Sequence, residues 1–314
     1  MQLFWEILNI VLPVFLIIGL GYVLRRIGLI DADFLFQTNR LVFYVALPLL
    51  LFYKIGKADF FASFNGMLVV VSCLVIVIGF AMSYGYAFLR GYAPASRGAF
   101  SQGAFRGNLA YMGLAIVFNA YGEDGLTRAG ILMGFMVPVL NFCAIFALLL
   151  PHSSDGESRK ASFWLKHLAL NPLIIACVVG ISWSFLNLSM PVILERSLRV
   201  ASGMTLPLAL LAIGGSFSLK KLRGDLLMAF LATFFKIGWM PLIACGLLVL
   251  AGVQGVDLAV GVLMAGAPAA TANYIMAHQL KGDAELSGSI VMMSTLLSAA
   301  TYSIALYLMR ITGL

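Results

Sequence analysis

Apolar runs of about 20 residues, the length a helix needs to cross a hydrocarbon layer roughly 30 Å thick, recur along the whole chain. Ten such windows are predicted, near 4–24, 36–55, 66–89, 101–121, 128–150, 168–188, 196–217, 225–251, 257–279 and 286–310. Polar residues gather in short connections between them. The one long hydrophilic stretch, PHSSDGESRKASFWLKH at 151–167, divides the chain near its middle. The pattern predicts an all-α integral membrane protein with a first unit over 1–150, a connecting loop over 151–167 and a second unit over 168–314.

Composition sharpens this picture. Of 314 residues, 62% are hydrophobic and 11% charged, and the mean hydropathy is +1.01. Soluble domains carry about 25% charged and about 45–50% apolar residues. Cys73, Cys143, Cys177 and Cys245 lie inside apolar runs without CxxC spacing, so they read as small packing residues and not as a disulfide framework or zinc site. Arg25 and Arg26 follow the first run, the reverse of a signal peptide's polarity, so that run reads as a retained span.

Arg and Lys set the expected orientation, because they accumulate on the cytoplasmic side. Connections after odd-numbered spans hold 12 of the 20, against 6 after even-numbered spans, with Arg106 and Lys236 inside spans. Both termini are therefore expected outside and the 151–167 loop inside. The net charge of +7 is mostly this bias, and it does not call for a nucleic-acid partner.

The two halves echo each other. Leu12-Pro13 and Asn171-Pro172 lie 159 residues apart, as do Ala46-Leu47-Pro48-Leu49 and Thr205-Leu206-Pro207-Leu208. Gly122-Glu123-Asp124-Gly125-Leu126 and Gly282-Asp283-Ala284-Glu285-Leu286 lie 160 apart. A repeat of five spans has an odd number of crossings, so its second copy must be inverted. Inverted repeats with broken helices at mid-membrane characterise secondary transporters.

The fourth span of each repeat is unusually polar and rich in small residues: Gly103–Gly113 (GAFRGNLAYMG) and Gly266–His278 (GAPAATANYIMAH). Pro268 removes a backbone donor, and Gly103, Gly107 and Gly113 weaken helix in span 4. Non-helical backbone at membrane depth survives only against protein or a water-filled cavity. Where a helix restarts, its free N–H groups suit an anion. Asn108, Thr271 and Asn273 add donors or acceptors there, and Tyr111 and Tyr274 add walls; the alternative is that they bond neighbouring helices only.

Arg106 lies about five residues into span 4, placed either to join this site or to snorkel outward. Lys236 lies about eleven residues into span 8, too deep to snorkel, and reads as a counter-ion for an acidic substrate or a titrating group. Asp and Glu are absent from the depths of the spans, which favours anionic over cationic cargo. His278 reads as interfacial. Asn141 in span 5 and Ser294, Thr295 and Ser298 in span 10 are expected to face the bundle. The candidate substrate-binding set is Arg106, Gly107, Asn108, Tyr111, Asn141, Lys236, Ala267, Pro268, Thr271, Asn273, Tyr274 and Ser294. No HExxH, GxSxG or P-loop motif is present, so neither hydrolysis nor ATP-driven transport has sequence support.

Leu8–Arg26 (LNIVLPVFLIIGLGYVLRR), Ala46–Phe52 (ALPLLLF), Gly107-Asn108 with Gly113 and Tyr121-Gly122, Ala267–Ala270 and Ser294–Ser298 together resemble the auxin efflux carrier family of membrane transport proteins. That family includes plant PIN-type carriers and bacterial malate or malonate permease-like members. The resemblance implies a fold like that of bile acid–sodium symporters. Spans 4 and 9 would cross at their breaks, spans 1, 2, 6 and 7 would form a scaffold, and spans 3–5 and 8–10 a mobile transport domain. It also implies elevator-type access and a homodimer through the scaffold. In place of an Asn-Pro-Asn crossover this chain has Gly107-Asn108-Leu109, without a proline, and its short central loop resembles the bacterial members.

The expectation is thus a secondary transporter of a small organic anion, a mono- or dicarboxylate such as malonate or malate or an auxin-like acid, in a bacterial inner membrane. No cofactor is expected beyond a coupling ion, proton or sodium. The alternatives are a sodium-coupled symporter of a larger, bile-acid-like anion, or a channel or sensor of the same fold.

Overall fold

The computed structural model describes residues 2–151, 170–217 and 225–312. The predicted central loop, Pro151 excepted, lies outside the described residues. The helices are α1 (Gln2–Arg26), α2 (Ala32–Leu41), α3 (Leu47–Lys57), α4 (Phe60–Ser63), α5 (Gly66–Leu89), α6 (Pro94–Phe105) and α7 (Leu114–Leu149). Then come α8 (Pro172–Phe185), α9 (Val192–Gly203), α10 (Thr205–Ser216), α11 (Leu226–Phe234), α12 (Met240–Leu250), α13 (Gly255–Ala265), α14 (Ala272–Gln279) and α15 (Ala284–Ile311). Among the described residues there is no strand. Seven helical runs are long and apolar enough to cross a membrane, and α8 and α13 are shorter apolar helices.

Local chemistry explains the helix starts. The side chains of Asp31, Asn65, Asp225 and Asp283 each accept a hydrogen bond from the backbone N–H three residues on, at 2.7–3.0 Å. Each satisfies one of the donors that a helix N-terminus leaves open. Two prolines inside long runs are absorbed differently. Pro48 and Pro241 each follow a five-residue π-helical turn, Val42–Ala46 and Phe235–Trp239. The wider turn relieves the clash that a proline ring makes with the carbonyl four residues before it.

The predicted boundary between the fourth and fifth spans is marked by a kink at Gly122, where two helical stretches meet. Helix α7 runs from Leu114 to Leu149, interrupted only at Gly122, which takes φ 59°, ψ −146°. Helix resumes at once because the charges after Gly122 find partners. Arg128 binds Asp124 one turn away and Asp257 of α13, both at 2.9 Å, while Glu123 pairs with Lys54 of α3.

Small residues let particular helices approach closely. A Cβ on Gly214 of α10 would sit 1.8 Å from the carbonyl oxygen of Ile18, and one on Gly21 of α1 would sit 2.2 Å from that of Leu211. On α8, a Cβ on Gly180 would meet Ile55 Cβ at 3.1 Å and Phe52 Cα at 3.4 Å. Without a hydrophobic drive between helices in lipid, such contacts are a main source of association. Gly214→Ala should force α1 and α10 apart, at a cost of about 1–3 kcal/mol. It should lower the melting temperature of the detergent-purified protein, whereas Gly19→Ala, with nothing within 4 Å, should leave it unchanged. Equal melting temperatures for the two variants would contradict the close packing.

Candidate functional site

Two apolar segments are interrupted, and the interruptions bind each other. Helix α6 ends at Phe105, after which Arg106 (φ −82°, ψ 100°) and Asn108 (φ −81°, ψ 68°) leave helical geometry. A π-helical turn, Leu109–Gly113, restarts the helix, and the Asn108 side chain caps it by accepting from Tyr111 N at 3.3 Å. In the second segment α13 ends at Ala265, and α14 begins at Ala272 after Pro268. Asn108 N donates to Pro268 O at 2.7 Å, and Ala270 N donates to Arg106 O at 3.0 Å. Gly107 and Ala269 thereby form an antiparallel bridge. Ala269 N finds its acceptor in Ser294 Oγ of α15, at 3.0 Å. Span 4 thus breaks without a proline, because the other segment supplies the hydrogen bonds that helix would have supplied.

Three candidate residues come together around Arg106. Its guanidinium donates to Asn273 Oδ1 at 2.8 Å and to Asn141 Oδ1 at 3.0 Å, and Asn273 Nδ2 returns a bond to Arg106 O at 3.3 Å. The side chain therefore turns inward and does not snorkel. It is part-buried, and Asn273 is almost fully buried. Among the described residues no carboxylate lies within 4 Å of it, and the two amide oxygens are its only side-chain acceptors. A guanidinium has five N–H donors, so three remain for a ligand.

Lys236 packs against Gly107, the residue next to Arg106. It sits in the π-helical turn Phe235–Trp239, is fully buried, and donates from Nζ to Ala265 O at 2.5 Å. That carbonyl ends α13, where an ammonium complements both the open acceptor and the negative end of the helix dipole. Lys236 therefore clamps one end of the break. Gly107 is what lets it in: a Cβ there would lie 2.9 Å from Lys236 Cε and 3.1 Å from Ala267 O.

The remaining candidates divide. Tyr111 is buried, with its hydroxyl donating to Asn39 Oδ1 of α2 at 3.3 Å. Ala267 and Pro268 are buried in the break itself. Thr271 is part-buried and makes no side-chain cap to α14. Tyr274 is 38% exposed, with its ring 3.4 Å from where a Cβ on Gly288 would sit, and His278 is exposed in the last turn of α14. Asn39 escaped sequence reasoning because the polar run Gln37-Thr38-Asn39-Arg40 looks like a span end. Gln102, fully buried one turn before Arg106 with Nε2 near Met276 Sδ at 3.5 Å, was likewise hidden in a plausible interfacial position.

The chain matches the family model described as "Membrane transport protein" over residues 6–306. It is 27% identical to an "Uncharacterized transporter" of Methanothermobacter thermautotrophicus, over 92% of this chain and 93% of that one. It is 26% identical to a protein of Rhizobium meliloti named "Putative malonate transporter", over 97% and 96% of the two chains. It is also 26% identical to the "Uncharacterized transporter YfdV" of Escherichia coli K12, over 74% of each. With its helical runs and paired breaks, this multi-pass membrane protein belongs to the membrane transport protein family, the auxin efflux carriers, whose members are transporters and not enzymes.

Proposed function

We propose that the chain is a secondary active transporter of a small organic anion, a mono- or dicarboxylate such as malonate, bound at the paired breaks. One observation carries this: Arg106 stands at the junction of the two broken segments with amide oxygens, and no carboxylate, as its partners. A cation held away from water without a counter-ion is costly, and a carboxylate removes that cost through a bidentate pair with the guanidinium fork. The name of the Rhizobium meliloti relative supports the same substrate class.

In this reading the chain crosses the membrane ten times, as inverted five-helix units over 1–150 and 168–314, with both termini outside a bacterial inner membrane. Contacts between positions 159 or 160 apart support the repeat. Thr205 Oγ1 donates to Ala46 O at 3.0 Å, and Asn108 N donates to Pro268 O. Helices α1, α3, α8 and α10 form the scaffold and the dimer face, and the segments carrying the breaks move past it as an elevator.

The test is counterflow in proteoliposomes loaded with malonate, with pH and sodium gradients imposed separately to identify the coupling ion. Saturable uptake that trans-malonate accelerates is expected. Flux that neither saturates nor shows counterflow would make the chain a channel, and binding without flux would make it a sensor. Arg106→Gln should reduce uptake by about 10- to 100-fold, as expected for a lost charge-assisted hydrogen bond. Arg106→Lys, which keeps the charge and loses the fork, should fall between the two. Wild-type uptake by a folded Arg106→Gln protein would remove the site from Arg106. Asn273→Ala should lose most activity too, since it orients the same guanidinium.

A further inference from the structure

A second cavity lies away from the breaks. A space of about 450 Å³ lies among α1, α3, α7, α9 and α10, and none of its lining residues belongs to the Arg106–Asn141–Asn273 cluster. Its walls are mainly apolar: Val14 of α1, Leu50 of α3, Phe118 of α7 and Leu210 of α10 are among them. Its polar groups are few, and three are charged: Lys54, Glu123 and Arg199. Volume and lining both fall within the pattern of small-molecule sites, which are concave, largely apolar and about 300–1,000 Å³, with a few polar groups that fix orientation.

The charges give the chemistry. Lys54, 17% exposed at its side chain, pairs with Glu123, which is 65% exposed and therefore well solvated. Arg199 is exposed and has no ion pair among the described residues. The neighbouring Lys57–Glu195 pair is neutral overall. The lining thus carries two cations against one anion among mainly apolar walls, and Asn119 belongs to the same lining.

We propose that this cavity is a second anion site, for an organic acid with an apolar body, its carboxylate held by Arg199 and Lys54 and its body against the apolar walls. The inference rests on the transport reading only for its choice of carboxylate probe, and its test does not depend on flux. Gly203 lines the cavity, and a Cβ there meets nothing within 4 Å. The four native cysteines are not among the lining residues.

The experiment uses the full-length Gly203→Cys protein in nanodiscs, with modification located by mass spectrometry. Reaction rates are compared for an anionic sulfonatoethyl and a cationic trimethylammonioethyl methanethiosulfonate, each normalised to a free thiol. The anionic reagent should react about fivefold or more faster, a preference sized to unit charges several ångströms away in a high-dielectric site. Adding Arg199→Gln should cut that preference by about half or more, and Lys54→Gln should act in the same direction. Phenylacetate should slow modification at least threefold, and should still do so when Arg106→Gln is added. Equal rates for the two reagents, or a preference untouched by both substitutions, would overturn the proposal. Protection that vanishes with Arg106→Gln would also overturn it, by assigning the bound acid to the breaks alone. Failure of counterflow with charge preference and protection intact would instead count against the transport reading and leave this site standing.

Discussion

Two backbone hydrogen bonds hold the centre of this molecule together, from Asn108 N to Pro268 O and from Ala270 N to Arg106 O. An unsatisfied backbone group away from water costs several kcal/mol, so neither segment could stay broken on its own. Each break supplies what the other lacks, and Ser294 accepts a further donor, Ala269 N. Everything chemically unusual nearby depends on that arrangement. Arg106 leaves the helix at this point, Asn273 can return a bond to its carbonyl, and Lys236 reaches the exposed end of α13 because Gly107 has no side chain.

The packing around this centre follows a related logic. Helix α10 meets α1 at Gly214 and Gly21, and α8 meets α3 at Gly180. Adding 159 to the numbers of α1 and α3 lands on α8 and α10, so the pair α1 with α10 corresponds to the pair α8 with α3. Each half of the chain lends a helix to the other half's partner. Such an exchange makes the helices interdependent: neither half buries its small-residue faces without the other, which favours a chain that folds around both halves together.

Much of this was legible in the residues. The apolar window at 66–89 coincides with α5, and the clusters of small and polar residues at Gly103–Gly113 and Gly266–His278 do contain the breaks. Side chains wrote those signals. What was hidden lies in the backbone or in pairings between distant positions. Glu123, Asp124 and Arg128 read as a connection and Gly122 does turn the chain there, but their pairings with Lys54 and Asp257 join positions too distant in the sequence to be read from it. The π-helical turns before Pro48 and Pro241 leave no periodicity to detect. The main-chain carbonyl that Lys236 holds leaves no mark in the sequence, since any residue at position 265 would supply it.

The guanidinium that, among the described residues, is held by side-chain amides alone also bears on how the protein behaves once it is taken out of its membrane. If the proposed anion site stands, a site that is least comfortable when empty would tie the folded state to the anions around it. An acid that binds only the folded chain adds about 2.7 kcal/mol at a hundred times its dissociation constant, a sizeable share of a typical folding free energy of roughly 5–15 kcal/mol. Buffer is therefore not a neutral choice for this molecule. In the proposed reading, citrate, phosphate and chloride would compete for the charge that Asn141 and Asn273 orient, and the salt used in purification would become part of what holds the chain together.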